Sequence, residues 1–370
     1  MNCIIYQYHL WIFYFVPMQS LENIEESNNP RIKDALLYEK LSRGRVRCTT
    51  CERFCEIDLD GFGFCKTRKN AGGKLCTLVY GDVASLSANP IEKKPLYHFF
   101  PGSKALTVGT WSCNFTCPWC QNWELSKSYL VEKLGTYISP SKFMTLMKHY
   151  GCHGTSISLN EPTLLLEYAL TVFELARKEG YYNTYVTNGY MSEVSLNLLI
   201  EHGLDAMNMD IKGDKDSTKR YCGANVDVVW RNAMEAKKRG IHVEITTLIV
   251  PGVNDDEESF KGIARRVMRE LGRDIPWHLS AYYPAYKFKA PATPLTSLER
   301  GRGIGIVEGL DYIYLGNVPG SPYQNTYCPR CLTLLIERHM FGVKTYHISE
   351  KNTCPGCGHT IPVVGTCFHV

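Results

Sequence analysis

The chain has 370 residues, 44% of them hydrophobic and 21% charged, with a formal charge of +4. That length exceeds one average domain and fits one barrel with appendages. The charge is too small to argue for a nucleic-acid surface. Sixteen cysteines fall into three tight groups plus the singles Cys3, Cys76, Cys152, Cys222 and Cys367, which suits metal sites in a reducing compartment and not a disulfide framework.

Residues 10–18 are apolar but too short to span a bilayer, and they lack the basic flank and small-residue cleavage site of a signal peptide. Met18 is therefore the expected start, with residues 1–17 an extension or tail. No other segment suits a membrane, so the expected location is cytoplasmic. Residues 18–47 read as a polar lead-in ending in a helix over 32–43, stopped by Gly44. A cysteine-rich lobe over 48–104 opens with Cys48, Cys51, Cys55 and Cys65. Their x2, x3 and x9 spacing suits a structural zinc or a second iron–sulfur cluster, and a small lobe with little core favours a structural role. Residues 74–80 read as a strand, and a Pro-rich connection over 89–102 leads onward.

Between 105 and 320, short β-rich runs alternate with amphipathic helical stretches, the pattern of a parallel α/β domain. The expected strands cover 106–111, 155–159, 182–187, 206–211, 243–250, 277–282 and 312–315. Helices are expected from Ser139-Pro140, over 164–178, and from the acidic start at 254–257 to 271, stopped by Gly272. The expected fold class is a partial or complete β/α barrel. Its chemistry would lie at the C-terminal strand ends: the cysteine loop, Asn160, Glu161, Asn188, Asp210, Lys212, Gly252, Asn254 and Asn317.

Cys113, Cys117 and Cys120 follow the first of these strands. Spacings of x3 and then x2 suit three corners of a cubane iron–sulfur cluster and leave its fourth iron without a protein ligand. A zinc knuckle is the bland alternative, but zinc sites usually use two x2 pairs. The tail over 321–370 has that second pattern: Cys328 and Cys331, then Cys354 and Cys357, two CPxC knuckles resembling a zinc ribbon with a four-thiolate zinc. Leu332 stands where a glycine often follows such a turn.

The triplet's spacing and its place after a strand end resemble the radical S-adenosylmethionine (SAM) superfamily. There SAM chelates the fourth iron of a [4Fe–4S] cluster and one electron cleaves it to a 5′-deoxyadenosyl radical. Whole phrases resemble the AmmeMemoRadiSam-system radical SAM proteins, relatives of the pyruvate formate-lyase activating enzyme. These are Pro90-Ile-Glu-Lys-Lys-Pro-Leu-Tyr-His98, Cys120-Gln-Asn-Trp-Glu124, Asn160-Glu-Pro-Thr163, Val186-Thr-Asn-Gly-Tyr190, Asp210-Ile-Lys212, His278-Leu-Ser-Ala-Tyr-Tyr-Pro284 and Gly316-Asn-Val318. The likeness runs from about residue 48 to 362.

The resemblance implies that Cys113, Cys117 and Cys120 ligate the catalytic cluster and that Trp119 packs near the adenine. Ser158, Leu159, Asn160 and Glu161 occupy the place of a Gly-Gly-Glu phrase that contacts the methionine amino group. With the glycines replaced, the expected contacts shift to the Asn160 and Glu161 side chains. Asp210 and Lys212 match an Asp-x-Lys, where Lys212 meets the cofactor carboxylate or the substrate; a rim ion pair between them is the alternative. His278 is a candidate substrate-side group or an interior histidine. Implied partners are a ferredoxin- or flavodoxin-like electron donor, a Memo-like protein and a macromolecular substrate. Two other readings stand beside this one: a glycyl-radical-enzyme activase, and a non-enzymatic zinc-ribbon module binding RNA or protein.

Overall fold

The structure is a computed structural model describing residues 29–127 and 135–368; the expectation for residues 1–17 lies outside them. Among the described residues the largest sheet has eight strands in sequence order. β1 (Ser85–Pro90) pairs antiparallel with β2 (Lys104–Gly109). β3 (Gly154–Ile157), β4 (Tyr182–Thr187), β5 (Ala206–Asp210), β6 (His242–Ile249), β7 (Trp277–Ala281) and β8 (Ile313–Gly316) follow in parallel. β1 and β8 are the two edges, so the barrel is partial. All seven expected strands are present, displaced by at most two residues. β1 was not expected, and it begins the sheet inside the segment assigned to the N-terminal lobe. Its polar sequence ends in Pro90, which an edge strand tolerates because one side needs no donors.

The crossovers are α1 (Pro140–His149), α2 (Leu166–Lys178), α3 (Glu193–Glu201), α4 (Val226–Lys238), α5 (Glu257–Arg266) and, before β8, α6 (Leu295–Val307). Their starts follow the expected capping chemistry. Ser139 Oγ accepts from Lys142 N at 3.2 Å with Pro140 at the first position, and Asp256 accepts from Ser259 N at 2.9 Å. Among the described residues no helix is long and apolar enough to cross a membrane.

Strand alternation sorts the two faces of the sheet. Tyr185 packs on Phe173 of α2, and Met209 lies with Val229 of α4 against Gly189. These residues look toward the helices, so Ser156, Ser158, Asn208 and Asp210 look into the concave interior. There Ser156 Oγ, Ser158 Oγ, Asn208 Oδ1 and Thr246 Oγ1 are buried without hydrogen-bond partners.

The N-terminal lobe consists of short antiparallel strands. The helix expected over 32–43 does not form: Lys33–Asp34 pairs with Lys74–Thr77, and Tyr38–Lys40 with Val46–Cys48. The segment has no apolar stripe wide enough for a helix, since Ala35 is buried but Leu36 is 58% exposed, and cross-strand pairing decides instead. The lobe sits at the C-terminal strand ends. Cys51 bridges Met191, Glu52 N donates to Tyr190 O at 3.1 Å, and Arg68 pairs with Glu167 of α2 at 2.6 Å.

The tail docks at the opposite end. Phe100 N donates to Val364 O at 2.8 Å, and buried Arg338 donates to Tyr97 O at 2.7 Å and to Thr326 Oγ1 at 2.8 Å. Beneath it, Glu244 of β6 bonds His242 at 2.9 Å and His278 at 2.6 Å, and accepts from His98 N at 2.7 Å.

His98 is fully buried, with Nε2 2.6 Å from Tyr314 Oη and Nδ1 3.2 Å from Pro362 O. One ring nitrogen accepts and the other donates, which is the neutral imidazole. Burial pushes His98 down from 6.5 to about 3. The unfolded chain therefore binds the extra proton between those values, and this site's contribution to stability falls as the pH drops through that window. We expect wild type to lose stability relative to His98→Gln between pH 6.5 and 3, as read by denaturation midpoints at each pH.

Candidate active site

The strand β2 ends at Gly109, and the chain turns through Ser112, whose φ of +70° is unusual for a non-glycine residue. Asn160 fixes this turn. Its Oδ1 accepts from Thr110 N at 3.1 Å, and its Nδ2 donates to Ser112 O at 2.9 Å and Trp111 O at 3.3 Å. Leu159 takes φ +81° and its carbonyl accepts from Asn122 Nδ2 at 2.6 Å. The left-handed backbone of a glycine phrase is thus kept without the glycine, at a cost of order 1 kcal/mol.

The loop so held carries Cys113, Cys117 and Cys120. Cys113 Sγ is 3.4 Å from Phe115 N and 3.8 Å from Asn188 Nδ2, and Cys120 Sγ is 3.0 Å from Ser126 Oγ. Cys117 Sγ lies 3.3 Å from Cys222 Sγ, on the turn whose carbonyls accept from Thr116 N at 3.1 Å and Thr116 Oγ1 at 3.0 Å. Burial pushes the Cys113 thiol up to about 12; the contact with Cys222, then burial, raises Cys117. Thiols so placed need a metal or a cation to become thiolates. Lys127, whose Nζ donates to Phe115 O at 2.7 Å, and Lys212 both act on Cys117 and Cys120 in that direction.

Lys212 Nζ pairs with Asp210 at 2.9 Å on the interior face. Burial opposes its charge, but the Asp210 carboxylate outweighs burial and holds the ammonium protonated. Trp119 is 2% exposed, 5.2 Å from Tyr221 and 5.4 Å from Phe288, ring centre to ring centre. Its partners are the protein's own, and Phe288 N and Lys287 N close over it by donating to Pro118 O at 3.0 and 2.9 Å.

Two candidates sit in hydrogen-bond networks of the protein's own, and one sulfur contact has no counterpart in the sequence reading. Glu161 does not present a free carboxylate: Oε1 accepts from Thr163 N at 3.1 Å and Thr187 Oγ1 at 2.8 Å, and Oε2 from Asn188 N at 2.9 Å. Glu161 and Asn160 shape the loops around the triplet. Glu161 does so through Asn188, whose Nδ2 reaches Asn114 Oδ1 at 2.8 Å. His278 takes the interior alternative: it belongs to the buried Glu244 network at the N-terminal strand ends. Cys222 stands alone in the sequence, 105 residues from Cys117, and no local spacing points to the contact.

In the tail, the ligand atoms of Cys328, Cys331, Cys354 and Cys357 all lie within 4.8 Å of one another, with 3.6 Å between Cys328 and Cys357 and between Cys331 and Cys354. Four thiolates on one tetrahedral ion stand about 3.8 Å apart, so the geometry fits one metal ion. Leu332 takes φ +61° where glycine often sits, matching Gly358 at +72°. Thr333 hydrogen bonds hold the Cys331 thiol down at about 6, which favours the ligating thiolate.

The Radical SAM superfamily profile matches residues 108–262, which carry the triplet and the strands from β3 to β6. An uncharacterized protein of Methanocaldococcus jannaschii is 41% identical over 335 residues, covering 90% of this chain and 100% of that one. A second protein of that organism, named as a glycyl-radical enzyme activating enzyme, is 26% identical over 45% of this chain and 70% of its own. A crystal structure of a domain of pyruvate-formate lyase-activating enzyme from Bacteroides vulgatus is similar, with TM-score 0.39 and 17% identity over 44% of this chain and 99% of that one.

The chain belongs to the radical SAM superfamily and is related to the activating enzymes within it. It is therefore an enzyme, which removes the reading as a non-enzymatic binding module. The family implies SAM and a [4Fe–4S] cluster, and its chemistry is reductive cleavage of SAM to a radical that takes hydrogen from a substrate. The donor set fits that group: three sulfurs on one loop, two nearby cations, and unpartnered polar atoms on the interior face below.

Proposed function

We propose that Cys113, Cys117 and Cys120 ligate the catalytic cluster and that SAM binds over the concave face between them and Lys212. The observation that carries this reading is the loop of three thiols above an interior whose Ser156, Ser158, Asn208 and Thr246 oxygens have no partners. Lys212 holds the cofactor carboxylate, Asp210 positions Lys212, and Ser158 Oγ offers a polar contact. Asn160 and Glu161 act as positioning residues, and Trp119 walls the loop on the side of Tyr221 and Phe288. The tail quartet holds zinc. The thiol chemistry supports a cytoplasmic location.

Lys212→Met tests the site. Losing one charge-assisted contact worth ~1.5–3 kcal/mol weakens SAM binding roughly 10–150-fold without loss of iron. The readout is the change SAM makes in the spectrum of the reduced cluster. Unchanged affinity contradicts the role of Lys212, and no SAM effect in wild type contradicts the site.

Cys222 is not a ligand in this reading: at 3.3 Å its sulfur stands against Cys117 Sγ as a hydrogen-bond donor to a ligating thiolate. Cys222→Ala should keep the iron content and lower the reduction potential by about 20–60 mV, the loss of one hydrogen bond to sulfur. Loss of iron in that variant would instead make Cys222 a ligand.

The phrases from residues 90 to 318 support membership in the AmmeMemoRadiSam system. With it come a Memo-like protein partner, a ferredoxin- or flavodoxin-like donor and a macromolecular substrate. The relative named as an activating enzyme favours a second reading, activation of a glycyl-radical enzyme. Adding the purified Memo-like protein or a glycyl-radical enzyme to the reduced protein with SAM separates the two. The first should stimulate cofactor cleavage, and the second should acquire a glycyl-radical signal.

A further inference from the structure

We propose that Cys48, Cys51, Cys55 and Cys65 hold a second iron–sulfur cluster, a cubane with all four irons on protein thiolates, beside the triplet loop. The inference does not depend on what the triplet binds; only the iron count and SAM effect expected of the reciprocal variant rest on the proposed catalytic cluster.

The two cysteine quartets differ in geometry. In the tail the four ligand atoms crowd within 4.8 Å, as one tetrahedral ion requires. Among the described residues no other three or more cysteine, histidine or carboxylate ligand atoms gather so closely. The N-terminal four instead line the walls of a common space without converging on one point. A single zinc draws its four sulfurs together, whereas a polynuclear cluster holds its thiolates apart by its own bulk. The triplet's sulfurs are likewise not gathered as the tail's are, so the lobe resembles the cluster loop.

The polar lining of the same space supplies the second observation. Arg53, Arg68 and Asn114 all line it. Arg53 Nη2, Arg68 Nε and Asn114 Nδ2 are buried and have no acceptor; Arg68 is 1% exposed and Asn114 fully buried. Three unpaired N–H donors around four cysteines is costly unless acceptors fill the space. Inorganic sulfides and cysteine sulfurs of a cluster accept such bonds. A closed zinc site offers only four sulfurs, drawn together at one point.

The lobe is also fastened to the triplet loop. Ser112 Oγ donates to Cys65 O at 2.6 Å, and Arg53 Nε to Asn114 O at 2.8 Å. Asn114 lines the quartet's space, and its Oδ1 is 3.8 Å from Cys113 Sγ. One residue thus borders both sets of sulfurs, so the two centres are neighbours.

The test is metal content of the full chain with Cys113→Ala, Cys117→Ala and Cys120→Ala combined, made anaerobically and reconstituted with ferrous iron and sulfide. It should retain about four irons and about four sulfides per chain, with a cubane Mössbauer spectrum. The reciprocal variant, Cys48→Ser with Cys65→Ser, guards against a folding failure in the first; its iron should fall from about eight to about four per chain, with the effect of SAM on the remaining spectrum intact. Zinc in place of iron in the triple variant, about two irons there, or an unchanged iron count in the reciprocal variant overturns the proposal.

Discussion

Cys120→Ala should lose the catalytic cluster and drop SAM cleavage to background, the largest effect expected at any position. The superfamily's chemistry needs a cubane with one open iron, and the loop supplies only three thiols for it. Cys120 is the cleaner choice than Cys117, because Cys222 stands 3.3 Å from Cys117 and offers a replacement sulfur, whereas the contact recorded for Cys120 Sγ is Ser126 Oγ at 3.0 Å. The fold should survive: the tail's quartet is at the opposite end of the barrel, and its metal should remain. Iron analysis with assay of 5′-deoxyadenosine checks both halves. Cleavage at the wild-type rate in Cys120→Ala would remove Cys120 from the ligand set.

Glu167→Ala should cost ~3–5 kcal/mol of stability. Glu167 Oε1 takes Arg68 Nη1 at 2.6 Å and Leu36 N at 3.2 Å, with side-chain exposures of 2% for Arg68 and 7% for Glu167. Removing the carboxylate leaves a guanidinium buried without its counter-charge, and that loss exceeds the net worth of the pair. The damage should centre on the N-terminal lobe, which this pair ties to α2. Denaturant unfolding of Glu167→Ala should show the loss, and Arg68→Met combined with Glu167→Leu should recover most of it. Equal loss in single and double variants would mean the pair's packing matters and its charge does not.

Much of this architecture was legible because its signals are local. The x3/x2 triplet, the CPxC knuckles and seven β-rich runs each lie within a few residues, and each appears where the sequence puts it. Orientation was not legible. Glu161 sits at the expected strand end, but its partners Thr187 and Asn188 come from the next strand and the loop after it, so its carboxylate is already occupied by the protein's own donors. His278 lies on the expected strand but near its N-terminal end, away from the triplet. Cys222 reaches Cys117 only through folding. The 32–43 segment shows the converse failure, where pairing with residues 46–48 and 74–77 overrides local helix signals. β1 was hidden because an edge strand can be polar and end in proline. The N-terminal quartet was ambiguous by spacing, and only the walls of its space distinguish a cluster from an ion.

The most direct test of the central claim is product analysis of the anaerobic, reconstituted full chain, reduced with dithionite and given SAM. The account predicts methionine and 5′-deoxyadenosine in equal amounts, slow without substrate and absent without reductant. An intact cluster that yields neither product, with dithionite or a protein donor, would contradict it.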